Sequence, residues 1–163
     1  MNQEKLKELE KTISSDYVNI TGILVQKNGI KLYENYFHGY TSDNATHVYS
    51  VTKSVFSVLI GIAIDKGHIK SADQKVLDFF PDYTVKTDEK TIQCITLKHL
   101  LTMTASYKYK SEPYEEFFAS DNWIRAALDL LGGEGPSGEF MYSPIIGTHI
   151  LSGILVNATG QPV

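Results

Sequence analysis

The sequence predicts an α/β architecture, of the α+β kind, in which a helix and a β-hairpin precede a run of helices and the sheet is left incomplete. Three observations predict it. Residues 18–26 and 30–36 are rich in β-branched and aromatic side chains, and Asn28-Gly29 between them is the pair that a type I′ hairpin turn demands. Residues 51–64 are apolar on nearly every side after the first turn, the pattern of a helix buried all round. The only other strand candidate, residues 91–95, is short, and a lone two-stranded hairpin is marginal in water, so further strands are expected from outside this sequence.

The elements follow in order. The charged segment 1–11 reads as a helix, with Leu6, Leu9 and Ile13 as a narrow apolar stripe to lie on the hairpin's face. It lacks the basic stub and apolar core of a secretory signal, so cytoplasmic residence is the default expectation. The apolar run 55–64 is too short to span a bilayer and reads as a core helix. Ser71-Ala-Asp-Gln74 fits a capping box opening a short helix over 76–80, closed by Pro81. Thr96 is expected to cap a helix through Met103. Asp121 is expected to cap another, with Trp123, Ala126, Ala127, Leu128, Leu130 and Leu131 on its core face. Between them, 107–115 is polar and aromatic without period, a loop fit to border a cleft. The glycine-rich 132–138 lacks the following Lys-Ser/Thr of a phosphate loop and reads as a turn that delivers Tyr142. A last helix over 145–158 ends at Gly160 and Pro162, residues that stop helices. Without a linker or repeat, residues 1–163 form one architecture, divided into 1–48 (helix and hairpin) and 49–163 (helical lobe).

Composition excludes several functions. At 42% apolar the chain can bury a core, and a net charge of −4 with scattered lysines gives no basic stripe for nucleic acid or anionic membrane. Cys94 is the only cysteine, so it makes no internal disulfide, and it reads as a small buried filler. The histidines at 38, 47, 68, 99 and 149 lack paired ligand spacing, so no metal or other cofactor is expected. An unpaired hairpin edge is a route to self-association.

The chemistry concentrates at Ser50-Val-Thr-Lys53, where a polar strand end meets the long apolar helix. A hydroxyl and an amine three residues apart on a helix share a face one turn apart, so the amine can reach the hydroxyl's proton. Lys53 is the only charge in 51–64. A cation in the first turn opposes the helix dipole, and dipole and burial together favour the neutral amine that can act as a base. About one S-x-x-K arises by chance in a chain of this length. Taken alone, the segment is better read as Ser50 in an N-cap with Lys53 snorkelling outward.

Around that pair, Val48-Tyr49-Ser50-Val51-Thr52-Lys53-Ser54 with Leu59-Ile60-Gly61-Ile62-Ala63 resembles the nucleophile helix of serine hydrolases of the class C β-lactamase and penicillin-binding-protein type. Residues 95–105, Ile-Thr-Leu-Lys-His-Leu-Leu-Thr-Met-Thr-Ala, are similar to that family's entry into its helical lobe, and Phe140-Met-Tyr142-Ser143 with His149-Ile-Leu-Ser-Gly is similar to its Tyr-x-Asn region. The resemblance covers about 18–163 and implies a β-lactamase/transpeptidase-like fold. It also implies Ser50 as nucleophile, Lys53 as general base, and Tyr142 as general acid/base in acyl-enzyme chemistry on an ester, amide or β-lactam carbonyl. Two departures stand out: Pro144 replaces the amide-bearing Asn, and no K-[ST]-G or H-x-G occurs. In the family that third motif lies on a strand supplying an oxyanion donor, so this chain is expected to be the N-terminal part of a longer hydrolase, weak or inactive alone. The same departures support a second reading, a non-catalytic binding domain on that scaffold.

Overall fold

The computed structural model describes residues 2–85, 88–134 and 137–163. The chain divides into two compact units, Met1–His47 and Val48–Val163.

The first unit is a helix and a hairpin. Helix α1, Gln3–Asp16, opens on Asn2, whose side chain accepts from the Glu4 amide at 2.9 Å. Strands β1, Gly22–Lys27, and β2, Ile30–Tyr36, pair antiparallel. Asn28 and Gly29 both take positive φ, 51° and 76°, as the type I′ turn requires. The pairing slips by one residue between Val25 and Gln26. Ile13 is buried, and the Glu10 carboxylate accepts from Tyr33 Oη and Asn35 Nδ2, each at 3.0 Å, so α1 does lie on the hairpin. Leu9 of the expected stripe is exposed.

The second unit is helical among the described residues. It comprises α2, Val51–Asp65; α3, Leu97–Leu101; α4, Tyr114–Phe118; α5, Trp123–Leu130; and α6, Ile146–Thr159. Short 3-10 turns run over Val76–Phe79 and Thr91–Cys94. Its core is built around α6, which touches α2, α3, α5 and the Val76–Phe79 turn. Ile146, Ile150 and Ile154 lose nearly all contact with water. Gly153 lets α5 approach closely, since a Cβ there would stand 3.0 Å from Ile124 Cγ2 and 3.1 Å from Phe80 Cζ. Helix α6 ends as expected, on Gly160 in the left-handed conformation at φ 69°.

Several sequence-based expectations need correction. Helix α2 is not buried all round: only Ile60 and Ala63 are buried, while Val51, Val55, Val58 and Ile62 face water. An all-apolar pattern says that a helix can be buried, and α6, just as apolar, takes the central place. The 91–95 segment is a 3-10 turn rather than a strand. Ser71 and Gln74 form a local turn, accepting from the Asp73 and Lys70 amides, and the Val76–Phe79 turn has no side-chain cap. Asn122, not Asp121, caps α5 by accepting from the Arg125 amide at 2.9 Å. Trp123 on that helix is exposed rather than core. Thr96 caps α3 with His99 completing a capping box, though the helix stops at Leu101. Cys94 is exposed, not a buried filler. Gly135 and Pro136 of the expected 132–138 turn lie outside the described residues.

Candidate active site

Ser50 sits in the N-cap position of α2, yet its side chain caps no amide. Its Oγ instead lies 3.0 Å from Lys53 Nζ and 2.8 Å from Tyr142 Oη. The i,i+3 spacing on α2 accounts for the first contact. Tyr49, immediately before Ser50, has φ 44°, a conformation rarely adopted by aromatic residues, and it turns the chain sharply into α2 so that Ser50 is presented at the surface.

Tyr142 arrives from far down the chain, and the route is pinned at several points. The Gly138 amide donates to Thr104 O at 2.8 Å and the Met141 amide to Met103 O at 2.8 Å. Those bonds fasten the segment ahead of Tyr142 to the turn that follows α3, where Met103 has φ 56°. The structure thus brings Ser50, Lys53 and Tyr142 into one hydrogen-bonded cluster, with Lys53 Nζ 5.6 Å from the Tyr142 ring centroid. Snorkelling of Lys53 into bulk water is not observed. Its Nζ also donates to Pro144 O at 2.6 Å, so a main-chain carbonyl holds the lysine where the resembled pattern has an amide side chain. Proline suits the position because α6 begins two residues later and the missing N–H is not needed there.

A cavity of about 390 Å³ opens beside Ser50, bounded by Tyr49, Lys53, Pro144, Ile145, Thr148 and His149. Its walls are mostly apolar, the ordinary character of a small-molecule site. His149 stands edge-on to Phe117 and Trp123, with ring centroids at 5.1 and 5.6 Å, and Nδ1 is 3.2 Å from Ile145 O, so its ring is fixed by packing.

Sequence reasoning missed Glu112. This carboxylate is buried, and it accepts from Ser143 Oγ at 2.6 Å, Tyr109 Oη at 3.1 Å, the Ile145 amide at 3.0 Å and the Ile146 amide at 3.2 Å. Ser143 Oγ in turn accepts from the Gly147 amide at 3.0 Å. Gly147 is required here, because a Cβ would fall 2.8 Å from Tyr107 Oη. Nothing local in the sequence flags Glu112, since every partner except Tyr109 lies more than thirty residues on.

The two tyrosines at this buried corner make stability depend on pH. Burial pushes the Tyr107 phenol up to about 12, with the Glu112 charge adding to the rise and the Ser143 hydroxyl opposing it. Tyr109 is raised too, again chiefly by burial. The folded state therefore holds these protons more tightly than the unfolded chain, whose tyrosines titrate near 10. The contribution is whole below pH 10 and is lost as pH rises through 12, about 3 kcal/mol for Tyr107 alone. Urea unfolding midpoints are expected to fall across that window, and Tyr107→Phe should flatten part of the fall; a midpoint unchanged from pH 9 to 12 would contradict it.

Residues 16–163 match the protein-family model described as Beta-lactamase. Among solved structures, the chain superposes on a protein assigned as a 6-aminohexanoate-dimer hydrolase from Bacillus anthracis, with a TM-score of 0.68 and 20% identity. That match covers 96% of this chain and 43% of the other. It also superposes on a protein assigned as a beta-lactamase from Bacteroides dorei, with a TM-score of 0.73 and 24% identity, over 99% of this chain and 47% of the other. The chain thus spans under half the length of these structures, and its helices and two-stranded hairpin correspond to part of their fold.

Proposed function

The chain belongs to the Beta-lactamase family, and from that premise we propose that it carries the nucleophile half of a serine hydrolase that works through an acyl-enzyme. The observation that carries this reading is a single hydroxyl, Ser50 Oγ, within hydrogen-bonding reach of both an amine and a phenol. Ser50 Oγ attacks the carbonyl carbon of an ester, amide or β-lactam while its proton passes to the Lys53 and Tyr142 pair. The tetrahedral intermediate collapses as that pair returns the proton to the leaving group. Water then attacks the acyl-enzyme by the same route, giving its proton to the pair, and Ser50 regains a proton as the acid departs. The Ser50 amide at the start of α2 is a donor for the developing oxyanion.

Covalent labelling tests the reading without requiring turnover. Incubation with an alkyl fluorophosphonate, followed by peptide mapping by mass spectrometry, is expected to place one adduct on Ser50. A folded chain that takes up no label, or carries it on another hydroxyl, would overturn the nucleophile assignment and favour a binding domain instead.

A further inference from the structure

We infer that Glu112 is a positioning residue for this chemistry, its buried carboxylate fixing where Tyr142 and the Pro144 carbonyl stand against Ser50 and Lys53; the inference rests on the hydrolase reading above. A carboxylate out of water is costly unless its lone pairs are satisfied, and here two side-chain hydroxyls and two main-chain amides satisfy them. The 2.6 Å bond from Ser143 is of charge-assisted length. Helix α6 has no side chain of its own capping its start, since Ile145 holds the N-cap position. Its orphan amides at Ile145 and Ile146 go to Glu112, and the negative charge suits the positive end of the helix.

Capping alone would be a stabilising role. The sequence order adds the functional one. Ser143, held by Glu112, lies between Tyr142, whose hydroxyl meets Ser50, and Pro144, whose carbonyl holds Lys53. Three consecutive residues thus face two ways, the outer two to the reacting groups and the middle one to the buried anchor. Moving the anchor moves both the phenol and the lysine's acceptor, and displacements of about 1 Å at such groups cost on the order of a hundredfold in rate.

The test compares fluorophosphonate labelling of Ser50 in the full chain with that in Glu112→Gln and Ser143→Ala. Each is checked by circular dichroism and by amide exchange at Ile145 and Ile146. Glu112→Gln is expected to lower the maximal labelling rate about ten- to hundredfold, with half-saturation unchanged within about twofold. Ser143→Ala, which keeps the Ile145 and Ile146 amides on Glu112 and removes the acceptor of the Gly147 amide, should show a smaller fall. Tyr83→Phe, which loses a hydrogen bond to Asp129 away from this cluster, is the control for general destabilisation and should label like the parent. Labelling by folded Glu112→Gln at the parent rate, or an equal loss in Tyr83→Phe, would overturn the proposal. Unchanged exchange at Ile145 and Ile146 would overturn it as well. A parent chain that never labels would sink the Ser50 reading itself, and the exchange data would then still report whether Glu112 anchors the start of α6.

Discussion

Replacing Lys53 by methionine is expected to slow covalent modification of Ser50 by about two to four powers of ten, the range associated with loss of a positioned general base. Methionine keeps much of the aliphatic length and removes the amine that stands 3.0 Å from Ser50 Oγ. Tyr142 remains 2.8 Å from the same oxygen, but a neutral phenol without the amine beside it is a poor acceptor for the serine proton. Arginine should not rescue the rate, because its guanidinium stays charged at any working pH and cannot take a proton. The readout is the second-order labelling rate beside the thermal midpoint of each variant. A methionine variant labelling within tenfold of the parent would remove the lysine from the mechanism.

The largest effect on folding is expected at Phe117. Its side chain is 2% exposed and meets Phe118, Trp123 and His149 at ring-centroid distances of 5.3, 6.3 and 5.1 Å, so one ring joins α4, α5 and α6. Truncation to alanine removes buried aromatic area and leaves a cavity where α4, α5 and α6 meet, at a cost of about 3–5 kcal/mol. Small domains have about 5–15 kcal/mol in all, so the variant should unfold at a markedly lower urea concentration. Because His149 and the start of α6 border the cavity beside Ser50, labelling should fall in the same variant. A shift below about 1 kcal/mol would mean that the aromatic cluster is peripheral to stability.

How far the sequence could be read depended on the range of each interaction. The Ser50 and Lys53 contact follows from helix geometry and needs only three residues of context. The Asn28-Gly29 turn and the Gly160 stop are equally local, and the structure has both. Tyr142 could be tied to Ser50 only through family resemblance, since no local pattern connects residues ninety-two apart. Glu112 had no such aid: its role depends on donors supplied by the start of α6, and a lone acid before a proline is indistinguishable from a solvated one. The misjudged burial of α2 has a different cause. Periodicity measures how apolar a helix is and not how many neighbours reach it, and Gly147 and Gly153 on α6 are what allow Tyr107, Ile124 and Phe80 to crowd in there. At 121–122, Asp and Asn are both good caps, and Asn122 is the one whose side chain meets the Arg125 amide, while 91–95 carries strand-forming residues yet turns as a 3-10 helix, since strand propensity yields to context.

The lysine's tether at Pro144 is made by an atom every amino acid possesses. Substitution at that site can change the ring, the charge or the size without deleting the oxygen, provided the local path of the polypeptide is kept. Surveys that demand a particular letter there would therefore discard chains whose amine is just as firmly leashed. What such sites must preserve is a curve in space, and the alphabet of side chains records it only indirectly.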